Sequence, residues 1–208
     1  MRPWIVLAFV ASCWGQTSAE TPIQRFQVGV GGTYSRSQRL PEKNGFGGFM
    51  FAGSWAQNRL LRWTLSLDFD FAGSPIQLVP PPEIPTGAMA KLGQLLVQVH
   101  AGPEFTRHSG RVSLFVHALP GYTGWSLGSL SEGWNRTVSE GGFSLAAGGG
   151  MDTHLAKHFD LRIQGDYIPA WMGQGTPVAA LSPPLTAGNS PYHNTRVTVV
   201  FMAVLNRR

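Results

Sequence analysis

Between Leu61 and Phe71 the chain alternates without a break. Leu61, Trp63, Leu65, Leu67, Phe69 and Phe71 are large and apolar, and Arg62, Thr64, Ser66, Asp68 and Asp70 stand between them. Successive side chains of an extended strand point to opposite faces, so the segment predicts a β-strand with one apolar and one wet face. A helix would mix the two sets. The pattern recurs more weakly elsewhere. Phe26, Val28, Val30 and Tyr34 alternate with Gln27, Gly29, Gly31 and Thr33, and Leu95, Val97, Val99 and Ala101 with Gln98, His100, Gly102 and Glu104. Phe159, Leu161, Ile163 and Tyr167 oppose Arg162, Gln164 and Asp166, while Thr195, Val197, Val199 and Phe201 oppose Arg196 and Thr198. Three segments are less regular: Gly45 to Trp55, Arg111 to Gly124 with His117 set against Val116 and Ala118, and Gly141 to Asp152 with Phe143, Leu145, Ala147 and Met151 on one side. Together they predict eight strands, an even number.

The expected links alternate in length. Short ones fall near Gln57-Asn58-Arg59, Arg107 to Gly110 and Thr153 to Lys157, and long ones at Ser35–Asn44, Ala72–Ala90, Trp125–Glu140 and Pro169–Ser190. Pro80-Pro81-Pro82-Glu83-Ile84-Pro85 and Ser182-Pro183-Pro184 fall in long links, where a missing amide donor harms no ladder. Eight strands with short turns at one end and long loops at the other predict an all-β fold: a closed, antiparallel, up-and-down transmembrane β-barrel. A strand wall in hydrocarbon must close on itself, because lipid offers the backbone no hydrogen-bond partner.

Composition agrees with that picture. Charged residues are 13% of the 208, against roughly 25% in ordinary soluble proteins, and aromatics reach 11%. Arg2 precedes a short apolar run, Trp4 to Ala11, and small polar residues follow to Ala19. This reads as a signal peptide over 1–19, with the barrel domain over 20–208. No later run approaches the about 20 apolar residues of a membrane-spanning helix. Cys13, the single cysteine, has two readings. A cut after Thr17-Ser18-Ala19 discards it, whereas Val10-Ala11-Ser12-Cys13, similar to a lipobox, makes it an acylated first residue. The formal charge of +5 falls to +4 once Arg2, the only charge in 1–19, is removed. Such mild basicity suits anionic lipid or lipopolysaccharide. The scattered Lys and Arg form no stripe of the kind that binds nucleic acid.

Several stretches resemble the outer-membrane protein β-barrel domain family, the small OmpA-like barrels. They are His100-Ala101-Gly102-Pro103-Glu104-Phe105, Arg111-Val112-Ser113-Leu114-Phe115-Val116-His117-Ala118-Leu119, Gly148-Gly149-Gly150-Met151-Asp152, Leu161-Arg162-Ile163-Gln164-Gly165-Asp166-Tyr167 and Asn194-Thr195-Arg196-Val197. The resemblance covers most of the chain from about Gln94 onwards and implies an eight-stranded barrel, inserted by the outer-membrane assembly machinery. Such barrels usually end on an aromatic residue; here Phe201 is followed by Met202-Ala203-Val204-Leu205-Asn206-Arg207-Arg208.

The wet faces gather Arg62, Asp68, Asp70, His100, Glu104, His117, Arg162, Asp166 and Arg196. Buried ionisable clusters can mark a binding or acid–base site; the plainer reading is a self-neutralising network that fills a narrow lumen. His154 and His158 have the spacing of two metal ligands on a helix, but they fall in a short link with no third ligand. Gly148-Gly149-Gly150 has no following helix or Lys-Ser/Thr of a phosphate loop, so close strand packing explains it better. Asn135-Arg136-Thr137 matches a glycosylation sequon, which we read as coincidence in a chain exported by a bacterium. Tyr34, Trp55, Trp63, Tyr122, Trp125, Tyr167 and Tyr192, near strand ends, are expected to form interfacial girdles.

The expected function is structural or surface-interacting, by a monomer whose four loops face outside. General porin conduction, enzymatic activity and a cofactor are not expected. Two alternatives stay open: a lipid-modifying barrel enzyme, which needs a Ser–His pair near the outer rim, and a soluble secreted barrel with its apolar residues turned inward around a small ligand.

Overall fold

The alternation at Leu61–Phe71 becomes the two faces of one strand in a sheet that closes on itself. A computed structural model describes residues 26–37, 45–77, 89–129, 135–172 and 191–205. These form β1 (Phe26–Ser37), β2 (Gly45–Ala56), β3 (Leu61–Gln77), β4 (Met89–Ser109), β5 (Val112–Ser129), β6 (Asn135–Ala156), β7 (Phe159–Met172) and β8 (Tyr192–Val204). Each strand pairs antiparallel with its sequence neighbours, and β8 returns to β1 to close the barrel. No described residue is helical. The expected leader, Cys13, both Pro-rich stretches and the tail Asn206–Arg208 lie outside the described residues.

The register fixes the barrel's shape. A path across the ladders from Phe105 runs through Val116, Gly149, Gly165, Val197, Tyr34, Gly47 and Phe71, and re-enters β4 at Leu95, ten residues from where it left. Such a stagger means tilted strands, in the range of about 35–45° usual for barrels. At one end the links are Gln57–Leu60, Gly110-Arg111 and Lys157-His158. Asn58 Oδ1 accepts the amides of Leu60 and Leu61, both at 2.8 Å, and closes the first link. Gly110, at φ 60°, opens the second, as a two-residue hairpin with Gly in its first central position requires. The opposite end carries the links 38–44, 78–88, 130–134 and 173–191.

All eight expected strands form, several of them longer than the alternation marks. β3 and β4 stay paired as far as Gln77 and Met89, and β5 and β6 as far as Ser129 and Asn135. The links expected at Ala72–Ala90 and Trp125–Glu140 therefore shrink to 78–88 and 130–134, and the sequon at Asn135 begins a strand. β2 begins only at Gly45 and β7 stops at Met172, so β3 to β6 rise above the rest of the rim as a four-stranded wall. At the short-link end, His108, Ser109 and His154 belong to strands, where a turn was expected.

Side chains sort strictly by parity. Leu65, Leu67, Phe69, Val97, Val99, Val116, Leu161, Ile163, Val197, Val199 and Phe201 face outward, and Arg62, Asp68, Asp70, Glu104, Arg162 and Arg196 face in and are buried. The inward glycines let neighbouring backbones come close. A Cβ on Gly31 would stand 2.0 Å from the Val199 carbonyl oxygen, whereas one on outward Gly32 would meet nothing within 4 Å. Gly31→Ala should thus cost about 1–3 kcal/mol or more through overpacking, and Gly32→Ala should stay within about 0.5 kcal/mol. Urea unfolding in detergent micelles, followed by tryptophan fluorescence, checks the contrast; equal midpoints for the two variants would contradict it.

Candidate functional site: the charged lumen

Inward parity on β3, β4, β5, β7 and β8 carries all nine sequence-predicted residues into the lumen, none more than 6% exposed. Seven of them form one lattice with Asp152. At its centre Glu104 takes Arg62 Nε at 2.6 Å, Arg162 Nη1 at 3.1 Å and the Thr64 hydroxyl at 3.1 Å. Asp152 receives Arg162 Nε on Oδ1 at 2.8 Å and Arg162 Nη2 on Oδ2 at 3.0 Å, the two-point geometry that suits guanidinium and carboxylate. It also takes Arg62 Nη2 at 2.7 Å, while Arg62 Nη1 donates to Gln27 Oε1 at 2.6 Å.

His117 links this half to the next. Its Nε2 lies 2.8 Å from Asp166 Oδ1 and its Nδ1 3.8 Å from Glu104 Oε2. Asp166 Oδ2 takes Arg196 Nε at 2.9 Å and Gln164 Nε2 at 3.0 Å, and Arg196 Nη1 crosses the lumen to Asp68 Oδ2. Phe115 lies beneath both lower arginines, with the Arg162 guanidinium carbon 4.4 Å and that of Arg62 5.9 Å from its ring centroid. Burying a charge is costly unless it is paired and hydrogen-bonded, and these pairs meet that demand.

The other two expected members stand apart from the ion pairs. Asp70 accepts the Ser35 hydroxyl at 2.5 Å, and His100 Nε2 meets the Ser144 hydroxyl at 2.9 Å. Asp152 and Phe115 were missed in the sequence, although parity marks both. Met151 faces out, so Asp152 faces in, and Phe115 shares its side with His117. Trp125 shares that parity too. It is buried inside, with Nε1 donating to Gln94 at 3.2 Å, and so is not part of a girdle. Gly148 and Gly150 make room for the lattice: a Cβ on Gly148 would stand 2.3 Å from Asp166 Oδ1, and one on Gly150 2.9 Å from the Phe115 ring.

Among the described residues two Ser–His contacts occur, and neither lies at the rim with the longer links, where a lipid-modifying enzyme would need it. His100–Ser144 is sealed in the lumen, and His108 Nδ1 meets Ser113 Oγ at 2.6 Å near the short links. His154 and His158 part company, His154 meeting Asp160 Oδ1 at 2.6 Å and His158 the Val204 carbonyl at 3.4 Å. Among the described residues no group of three His, Cys, Asp or Glu is placed to hold a metal ion.

No family model matches the sequence, and no curated protein sequence does either. Solved structures do match in shape. Neisserial surface protein A (NspA) aligns over 89% of this chain and 100% of its own, with TM-score 0.60 and 10% identity. The attachment invasion locus protein Ail of Yersinia pestis, crystallised with the heparin analogue sucrose octasulfate, aligns over 85% of this chain and 97% of its own, with TM-score 0.51 and 16% identity. The shared feature is the fold. At these identities the likeness extends to the closed eight-stranded barrel and no further, so the lumen lattice is argued from this chain's own residues.

The lattice makes a specific demand on partners. Arg162 belongs with Asp152 and Glu104, and Asp166 with Arg196. Arg162 and Asp166, four residues apart on the inner face of β7, are not ion-pair partners of each other. Arg162→Met should cost about 3–5 kcal/mol, because it leaves buried carboxylates uncompensated. Adding Asp152→Leu should recover much of that loss, since Arg62 and Glu104 then remain as a matched pair, whereas adding Asp166→Leu should deepen it, because it removes one of the two carboxylates of Arg196 and leaves the unmatched acids around the missing Arg162 as they were. A double-mutant cycle on urea midpoints distinguishes the two combinations.

Proposed function

We propose that this chain is a bacterial outer-membrane β-barrel with a structural or surface-interaction role, working through loops on its outer rim and not as a general porin or an enzyme. One observation carries the membrane reading. On all eight strands, the outward side chains between the two rims are apolar, aromatic, glycine, proline or threonine, with no Asp, Glu, Lys or Arg among those described from Phe26 to Tyr34, Gly47 to Trp55, Leu61 to Phe71, Leu95 to Phe105, Val112 to Gly124, Phe143 to Leu155, Phe159 to Trp171 and Thr195 to Leu205. A protein in water would place charges there. A soluble barrel around an apolar ligand would turn this face inward, so the geometry disfavours that alternative.

Aromatics rim the belt. Phe26, Trp55, Trp63, Phe105 and Phe159 stand exposed near the short links, and Tyr34, Phe71, Tyr122, Phe143 and Trp171 near the other end. Along β7, the twelve steps from Phe159 to Trp171 at about 3.3 Å each, foreshortened by a tilt of about 40°, span about 30 Å. That height accommodates an apolar band of about 25 Å with its aromatic girdles. Ail and NspA, which share the fold, support an outer-membrane placement, Ail being described as an outer membrane protein. With the chain ends and short turns in the periplasm, the raised wall of β3 to β6 stands outside. Lipid and lipopolysaccharide are the surrounding partners of this reading, the outer-membrane assembly machinery its insertion route, and a signal peptide over 1–19 its means of export. The barrel acts as a monomer, with no nucleic acid bound.

Two measurements test it. Leu67→Arg puts a charge in the middle of the outer face and should cost about 2–4 kcal/mol of folding free energy in lipid vesicles; undiminished folding would count against the membrane assignment. Purified monomer in a planar bilayer should show no large, stable conductance, because Arg62, Arg162, Phe115 and Glu104 fill the lumen. Sustained porin-like channels would overturn the non-porin reading.

A further inference from the structure

Beyond the paired lattice the lumen changes character. Asp68 and Asp70 lie six and eight residues along β3 from Arg62, towards the rim with the longer links. Three carboxylates meet there, Asp68, Asp70 and Asp166, and one guanidinium, Arg196, which hydrogen-bonds to Asp68 and Asp166. Asp70 has the Ser35 hydroxyl and no cationic hydrogen-bond partner, though it is fully buried. One oxygen of each of Asp68 and Asp70 accepts no hydrogen bond from the protein.

The surrounding side chains share that condition. Gln98, opposite Asp68 across the β3–β4 ladder, is fully buried and bonds through neither amide atom. The hydroxyls of Ser66 and Thr33 are likewise unbonded and buried, as is that of Thr198, which faces Thr33 across the β1–β8 seam. Thr33 pairs with Gly48 and Gly48 with Asp70, so one path across the ladders joins Thr33 to Asp70. Gly48 has no side chain to intervene, and Asp70 Oδ1 lies 2.6 Å from where its Cβ would be. Native structures leave few buried polar atoms unpaired, so a group of them facing one interior points to something they bind.

We propose that this level of the lumen binds a small, hard monovalent cation of the sodium class. Asp68 Oδ1, Asp70 Oδ1 and Gln98 Oε1, on neighbouring inward positions of β3 and β4, are its ligands. The free oxygens of Asp68, Asp70 and Gln98 are carboxylate and amide oxygens, the donor set that hard cations take and soft metals do not; the unbonded His100 Nδ1 lies farther along β4, opposite Ser66. Of the three carboxylates Asp70 alone has no cationic hydrogen-bond partner, and a single positive charge held against it supplies one. The site adjoins the rest of the lattice through Asp68, which Arg196 holds, and does not depend on which membrane holds the barrel.

The test is the folding equilibrium of the full barrel in detergent micelles, at constant ionic strength, as N-methyl-D-glucamine is replaced by sodium. A single cation taken up on folding raises the folded-to-unfolded ratio tenfold for each tenfold rise in sodium above its dissociation constant. Wild-type protein is expected to show that slope and Asp70→Asn to show none. Should Asp70→Asn fail to fold, Gln98→Met takes its place, with the rise expected to begin at a tenfold or more higher sodium concentration. A wild-type ratio indifferent to sodium overturns the proposal. If that ratio instead grows as the pH falls, a proton at Asp70 has taken the cation's role. A sodium slope that survives unchanged in both variants also overturns it, because the cation then binds elsewhere.

Discussion

The rest of the structure depends on the backbone's need for hydrogen bonds. A strand wall facing hydrocarbon cannot leave its edges open, and the β1–β8 seam, paired from Gln27 to Ser37, removes them. Closing eight strands with a ten-residue stagger then fixes the width of the lumen, which side chains just fill. Strand number, glycine placement and the identity of the interior residues are linked through that one closure. Wherever the wall curves most tightly, as at Gly31 and Gly148, a side chain on the inner face would strike the next strand or its carboxylate.

A lumen of that width sets an electrostatic problem that arginine solves better than lysine. The planar guanidinium can satisfy several carboxylate oxygens on different strands at once, and an ammonium is a point charge. Arg62 on β3 reaches Gln27 on β1, Glu104 on β4 and Asp152 on β6, and Arg162 on β7 joins β6 to β4. Arg196 on β8 joins β7 to β3. The braces from Arg62 to Gln27 and Asp152, from Arg162 to Glu104 and from Arg196 to Asp68 run between strands that are not ladder neighbours, so they oppose flattening of the barrel in a way the hydrogen-bond ladders alone do not. A buried ion pair is weak grounds for claiming net stability, since apolar replacements of equal volume often do as well. Its value here lies in register: slipping one strand by a residue would turn its charges into lipid and its apolar residues into the lattice.

Alternation made the strands legible, because one face met oil and the other the lumen. It stops where that contrast stops. β3, β4, β5 and β6 continue past the belt to Gln77, Met89, Ser129 and Asn135, where neither face is held to an apolar environment and the period-two signal lapses, so the links read too long. Parity contained more than was taken from it. Trp125 sits eight residues from His117 and faces the same way, yet its ring chemistry argued for an interface, and chemistry was followed where geometry governed. Asp152 could have been placed by counting from Met151. Which arginine meets which acid was legible only as far as strand pairing goes: Arg62–Glu104, Arg162–Asp152 and Arg196–Asp166 are cross-strand partners on consecutive strands, whereas Arg62–Asp152, Arg162–Glu104 and Arg196–Asp68 cross the lumen and depend on the stagger.

The same alternation resolves an apparent extravagance, a barrel with an apolar outer face that fills its centre with charge. An apolar lumen would spare the desolvation of three guanidiniums and their carboxylates. Each strand would then be apolar on both faces, and runs such as Leu61–Phe71 would become continuous greasy segments, ready to aggregate in water or to be taken for membrane helices as they lengthened. With every second residue polar, the mean hydropathy of the chain is −0.03, near neutral although the described outer face between the rims is apolar. On the proposed reading, in which the barrel passes through water before it reaches lipid, it has reason to keep its charges. They hold each strand soluble while the barrel is open and become a paired lattice only when it closes, so the interior can neutralise itself only in a completed barrel.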